Sequence, residues 1–146
     1  MANVFLFQSV SDRFDLRKEI QPGANDTWYA TRYRKDMHKG DVVFFWMGGD
    51  PTIRGIYGWG NITSEPYMSE GWTKHGVNVT YRARFDQPLL ATAIQKDPVL
   101  AEMLIFRTAS ATNFLLNDDE AVRLIGLVRS RGENVPAISV MPSVGA

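Results

Sequence analysis

Residues 53–62 read IRGIYGWGNI, an apolar run of strand character with glycines at 55, 58 and 60. Glycine weakens an ordinary strand, since it brings no side chain to pack and loses the most backbone freedom on folding. A strand that keeps three of them is bent, bulged or closely approached by another backbone. That behaviour belongs to a small, tightly curved sheet. GIYGWG also superficially resembles a phosphate-binding loop. It lacks the following Lys-Ser/Thr, however, and lies inside an apolar strand pattern.

The flanking segments suit the same architecture. NVFLFQSV (3–10) reads as a first strand, ending at the polar run Ser11–Asp12–Arg13. Asp15 is placed to cap a short helix over 15–20, which Pro22–Gly23 ends. Residues 26–38, DTWYATRYRKDMH, read as a loop or short helix. Lys39–Gly40–Asp41 is a turn into VVFFWM (42–47), a fully buried strand, with the loop Gly48–Pro51 after it. In VNVTYRARFD (77–86), Val77, Val79, Tyr81, Ala83 and Phe85 alternate with Asn78, Thr80, Arg82 and Arg84. The segment 97–105 is expected to be helical, with Asp97 as cap and Pro98 at the first position. A last helix over 118–130 starts at Asn117 or Asp118, where Asp118, Asp119 and Glu120 suit the helix dipole, and it buries Leu124, Leu127 and Val128. The pattern is an α+β domain, a small curved mixed β-barrel flanked by short helices, over residues 1–131, with 132–146 as a tail or linker.

One such domain is what 146 residues allow. With 16 basic and 16 acidic residues, the net charge is zero. A protein that binds nucleic acid mainly through phosphates carries a basic excess, so any such binding here rests on a local basic cluster or a pocket. There is no cysteine, hence no disulfide, thiolate metal site or thiol nucleophile. The N-terminal MANVFLFQSVSDR has no leader pattern, and no apolar run approaches the roughly 20 residues of a membrane span. A cytoplasmic protein without membrane contact is expected.

Catalytic signals are weak. The two histidines, His38 and His75, have no metal spacing, and no hydrolase or nucleotide-binding fingerprint is present. No pair of carboxylates is set for acid–base work. No metal and no cofactor are expected. The aromatic signal is stronger. Four tryptophans and five tyrosines mostly serve a core in a chain this size. Trp28 and Trp72, however, lie in polar segments, NDTWYATRYRK and SEGWTKHG, as stacking platforms do. Basic residues interleave with them: Arg32, Arg34, Lys35 and Lys39 after Trp28, Lys74 and His75 after Trp72, and Arg82 and Arg84 on one strand. They read either as a solvated surface or as a phosphate-gripping rim.

The runs FLFQSVSDRFDL, DTWYATRYRKDMHKGDVVFFWMGG, IRGIYGWGNITSEPY and TASATNFLLNDDEAVRLI, in this order, resemble the EVE domain of the PUA-like superfamily, which includes the YTH and ASCH domains. The resemblance runs from about residue 3 to about residue 130. It implies a curved barrel whose pocket encloses a flipped, modified base, since a stacked base hides the face that bears the mark. By resemblance, the pocket comprises Ser9 and Val10, where the first strand opens, Trp28 and Tyr29, Trp46 as a second wall, and Thr112, Asn113 and Phe114. Asn113 either reads a base edge or caps the turn before the helix. Trp59 faces the core. Arg32, Arg34, Lys35, Lys39, Lys74, His75, Arg82 and Arg84 would meet the nucleic-acid backbone. The F-L-F-Q-S-V and D-R-F-D-L pieces are closest to EVE modules of modification-dependent restriction systems. A fused or associated nuclease or AAA-type motor is then the expected partner. The expected function is a non-catalytic reader of modified DNA, with 5-methylcytosine favoured. RNA or modified-nucleoside binding is the alternative, ahead of an ASCH-like hydrolase built on Lys35, Thr112 or Glu65, or a scaffold.

Overall fold

The computed structural model describes residues 2–10, 15–108 and 110–137. The end of the first strand's polar run (11–14) and the tail from 138 onward lie outside these. The strands are β1 (Val4–Val10), β2 (Asn25–Tyr29), β3 (Val42–Gly48), β4 (Gly55–Ile62), β5 (Tyr67–Met68), β6 (His75–Leu90) and β7 (Asn113–Leu115). The helices are α1 (Leu16–Glu19), α2 (Ala91–Ile94) and α3 (Asp118–Ser130). They form one mixed sheet in the order β2-β6-β4-β3-β1-β7, with β5 also on β6. β1 and β3 are parallel and the other pairs antiparallel. The sheet curls into a half-barrel, so this is the curved α+β architecture expected.

Both faces of the central strands are buried, which explains their unbroken apolar runs. Phe5, Phe7, Val43, Phe45 and Met47 point into the barrel, where Leu16 and Ile20 of the α1 segment also pack. Val4, Leu6, Val42, Phe44 and Trp46 point outward, under a layer that includes Ile94, Leu100 and the α3 residues Leu124, Ile125 and Val128. The α3 start carries a capping box, with Asn117 accepting from the Glu120 N–H and Glu120 accepting from the Asn117 N–H. Ile125, more than the half-buried Leu127, completes its apolar stripe.

The glycines of β4 sit at bulges. Register shifts lie between Ile56 and Gly58 and between Trp59 and Gly60. A Cβ on Gly58 or Gly60 would stand 2.3 Å from the carbonyl oxygen of Ala83 or Thr80 on the adjacent strand. The second bulge corrects the alternation expected for 77–86. Gly60 pairs with Tyr81 and Trp59 with Ala83, so β6 spends one extra residue there and its inside-outside phase flips. Val77, Val79 and Tyr81 therefore face the barrel interior, and Ala83 and Phe85 the helical layer.

Three other expectations change. Residues 25–29 of the supposed loop or helix are an edge strand paired with β6. Only Trp28 of that strand is buried, so its sequence carries little strand signal. A turn follows with Tyr33 in the left-handed region, then a 3-10 turn at Arg34–Asp36. The segment 97–105 forms two 3-10 turns, Leu100–Glu102 and Leu104–Phe106, parted by an extended Met103. Asp97 still caps it, accepting from the Val99 and Leu100 N–H groups. The described start of the expected tail packs back on the sheet: Glu133 accepts from the Asp86 and Gln87 N–H groups, the Asn134 carbonyl accepts from Trp59 Nε1, and Val135 packs on the outer layer.

Candidate functional site

β2 and β7 are the two ends of the strand order, and among the described residues no ladder joins them. The carboxamide of Asn113 closes the seam instead. Its Nδ2 donates to the Tyr29 carbonyl at 2.9 Å, and its Oδ1 accepts from the Thr31 N–H at 2.9 Å and the Thr31 hydroxyl at 3.3 Å. Asn113 is fully buried. Expected to read a base edge or to cap the turn before the helix, Asn113 here acts as a clamp between the two edges.

Beside the clamp the seam opens into a cleft of about 460 Å³. Its walls are the end of β1 (Gln8, Ser9, Val10), the end of β2 (Thr27, Trp28, Tyr29), the loop before β6 (Trp72, Lys74) and residues 110–112. The 110–112 segment is held along β1. The Gln8 N–H donates to the Thr112 carbonyl and Gln8 Nε2 to the Ala111 carbonyl, both at 2.7 Å.

Trp28 forms the back wall rather than an exposed plate, being only 6% exposed. Its ring packs on Phe45, with centroids 5.2 Å apart, and on Phe7 at 6.1 Å. Its Nε1 donates to the Tyr81 hydroxyl at 3.0 Å, which in turn donates to Asp26 Oδ2 at 2.7 Å. Burial raises the Tyr81 phenol far above its ordinary range, and the Asp26 carboxylate adds to this, so the phenol stays a neutral donor. The chain of hydrogen bonds commits the indole N–H inward and sets the ring's orientation.

The front of the cleft is a second aromatic pair. Tyr29, at the exposed phase of β2, meets Trp72 with centroids 5.0 Å apart, and Lys74 Nζ lies 5.4 Å from the Tyr29 centroid. Trp72 lies over Gly76, where a Cβ would come within 2.8 Å of its ring and 3.0 Å of Thr27 Cγ2. Across the ridge of Lys74 and Thr112, a groove of about 490 Å³ contains Arg34, Met68 and His75. It adjoins, through Thr31 and Arg34, a hollow that includes Lys35.

Of the pocket residues expected from sequence, Ser9, Val10, Trp28, Tyr29 and Thr112 come together at this cleft. Trp46 and Phe114 do not. Both lie in the outer layer, Trp46 against Phe106 at 5.6 Å, because the strand phase that points Phe45 at Trp28 turns Trp46 away. Of the basic residues, Arg34, Lys35, Lys74 and His75 line the cleft or its adjoining hollows, with Arg32 over the neighbouring Tyr33 ring. Lys39 sits in the exposed turn before β3. Arg82 donates to Asn61, and Arg84 lines a different hollow with Arg17, eight residues or about 26 Å along β6 from Gly76. Lys35 and Thr112 line separate hollows, and Glu65 is exposed in the β4–β5 turn. Sequence reasoning missed Gln8, Phe45 and Tyr81, whose parts depend on register. Among the described residues, no three His, Asp or Glu side chains are grouped to hold a metal, and no helix is long and apolar enough to cross a membrane.

Solved structures share this fold. A hypothetical protein from Leishmania major superposes with a TM-score of 0.73 at 18% identity, covering 91% of this chain and 98% of that one. Rpa0253 from Rhodopseudomonas palustris gives 0.71 at 17% identity, covering 91% and 97%. Human THYN1, solved in complex with 5-methylcytosine-containing DNA, gives 0.65 at 17% identity, covering 92% and 100%. No curated protein sequence matches. The sequence itself matches the EVE domain model over residues 3–127, and the chain belongs to the EVE domain family.

Proposed function

We propose that this chain is a non-catalytic DNA-binding module that takes a flipped, modified cytosine of the 5-methylcytosine type into the seam cleft. One observation carries the reading: an aromatic-walled cleft with polar edges opens directly onto a groove bearing Arg34, Lys74 and His75. Its volume falls in the range of about 300–1,000 Å³ typical of small-ligand sites. Trp28, Tyr29 and Trp72 supply ring surface for a planar base. Ser9, Thr27 and Thr112 give the cleft a polar edge. The DNA in the human THYN1 complex supports the choice of 5-methylcytosine. An apolar pocket discriminates one methyl group by only about 1–3 kcal/mol, so the preference for the mark is moderate and hydrogen bonds supply the rest of the base identity.

Net neutrality limits the electrostatic share. With Arg34, Lys35 and Lys74 as the cations on the path, log K falls with log salt at a slope of about −3. Fluorescence anisotropy on duplexes identical except for the methyl group tests the reading, with matched RNA as competitor. Preference for the methylated duplex is the expected result. Equal affinity across cytosine and adenine modifications sinks the reading, and stronger competition by RNA moves the site to that nucleic acid. A nuclease or AAA-type motor, fused or associated, is the effector such a reader would serve.

A further inference from the structure

Taking a base out of a duplex leaves a gap in the stack, and unstacking costs a few kcal/mol. Proteins that open base steps fill them with a slim apolar side chain. We infer that Met68 is such a wedge, entering the duplex where the flipped base leaves it; this rests on the reading of the cleft given above.

The large hydrophobic side chains exposed to solvent are unevenly placed. Leu104 and Val122 lie on the outer helical layer, whereas Val10, Tyr29, Tyr67 and Met68 surround the cleft end of the sheet. Val10 and Tyr29 line the cleft itself. The Tyr67 hydroxyl is tied to Asn78 Oδ1 at 2.7 Å. Met68 is the most exposed, at 52%, and stands in the groove beside the cleft among Arg34, Lys74 and His75. An apolar chain beside the Arg34 and Lys74 cations suits a partner with anionic rails and an apolar interior, which describes duplex DNA with its outer phosphates and stacked bases. Methionine is unbranched and polarizable, a shape that slides between rings. Its base is firm. Met68 pairs with His75 and Tyr67 with Gly76, so the wedge is registered on the strand that seats Trp72 at the cleft front.

The test measures anisotropy on three oligonucleotides, each made with the same target cytosine methylated and unmethylated: paired with guanine in a duplex, opposite an abasic site, and in a single strand. Met68→Ser should weaken binding to the paired duplex by roughly tenfold or more, the equivalent of about 1.4 kcal/mol. Binding to the other two, where little pairing or stacking must be broken, should stay within about twofold of wild type. Met68→Leu should restore most of the loss, since leucine also fills a base step. Because Met68 is exposed on a two-residue strand, its variants should melt like wild type. Equal loss on all three substrates, no loss on the paired duplex, or failure of leucine to restore binding overturns the wedge while leaving the cleft reading intact. A wild-type protein that prefers the methylated base on none of the three removes the cleft reading, and the wedge with it.

Discussion

The two sides of this half-barrel are held together in different ways. From β6 through β4 and β3 to β1, adjacent strands share backbone ladders broken only at bulges, and close approach is bought with glycine. At the seam between β2 and β7, one carboxamide does the joining. A ladder leaves no room between strands, since neighbours lie about 4.8 Å apart. A side-chain clamp spans the edges at one point and leaves them apart elsewhere. The cleft exists because the seam is not laddered: the ends of β1 and β2 that wall it are each laddered on their far side only.

Substitutions on the two sides should therefore fail differently. The largest effect is expected on the laddered side. Gly60→Val places a Cβ 2.3 Å from the Thr80 carbonyl oxygen, where backbone must move, and should cost about 4 kcal/mol or more. Urea unfolding should show a strongly lowered midpoint or no cooperative transition. Near-normal stability in this variant would mean that the strands are not so closely joined. At the seam, Asn113→Ala leaves the part-buried Tyr29 carbonyl and Thr31 N–H without this partner and should cost about 1–3 kcal/mol. Its distinguishing sign is local. Amide exchange at Thr31 should accelerate, whereas exchange in the β3–β4 ladder should follow global stability. Uniform acceleration would show that the seam is not a separate unit.

The same contrast explains what was legible in the sequence. The laddered side was. VVFFWM and the glycines of IRGIYGWGNI carry their own signal, because apolar runs and missing side chains are properties of the residues themselves. The bulge at Tyr81–Ala83 was not, since its phase flip arises from pairing with Trp59 and Gly60. The seam was half legible. Trp28 stood out by its polar setting, yet NDTWY did not read as a strand, because β6 supplies the pairing and only one residue of the five is buried. Trp46 was misplaced for the converse reason. In a strand buried on both faces, hydrophobicity does not tell inside from outside, and only register distinguishes Phe45 from Trp46. The role of Asn113 lies in partners more than 80 positions away.

A smaller effect is expected one layer behind the cleft. Tyr81→Phe leaves Trp28 Nε1 and Asp26 Oδ2 without their shared partner, at a cost of about 1–2 kcal/mol. It should also change the alkaline limb of stability. The folded-state phenol is raised above its ordinary value of 10.0, so the unfolded chain gives up this proton first. The contribution is present in full below the unfolded value of 10.0 and falls progressively as pH rises beyond it toward the higher folded-state value. Removing the hydroxyl should flatten that part of the decline, leaving the share of Tyr57, which burial also raises. An unchanged alkaline limb would mean that the phenol is not held neutral by Asp26 and its burial.

The smallest folding effect, and the one most specific to the cleft, is expected at Gly76. Like Gly60 it lies in a strand pair with no room for a Cβ, but the obstacle differs. At Gly60 it is a backbone oxygen; at Gly76 it is the ring of Trp72 at 2.8 Å and the Thr27 methyl at 3.0 Å. A loop tryptophan turns aside where a backbone does not. Gly76→Ala should therefore cost less than about 1 kcal/mol in stability, while displacing Trp72 from Tyr29 and opening the front of the cleft. Preference for methylated over unmethylated duplex should fall by roughly tenfold, about 1.4 kcal/mol. Affinity for unmethylated DNA, which the proposed reading assigns to Arg34, Lys35 and Lys74, should hardly change, and its salt dependence should keep the wild-type slope. If Gly76→Ala instead unfolds the protein as Gly60→Val does, the two sides of the barrel are equally rigid at this level. If it folds and keeps full discrimination, Trp72 does not bound the base site, and the cleft reads its ligand from Trp28 and the end of β1 alone.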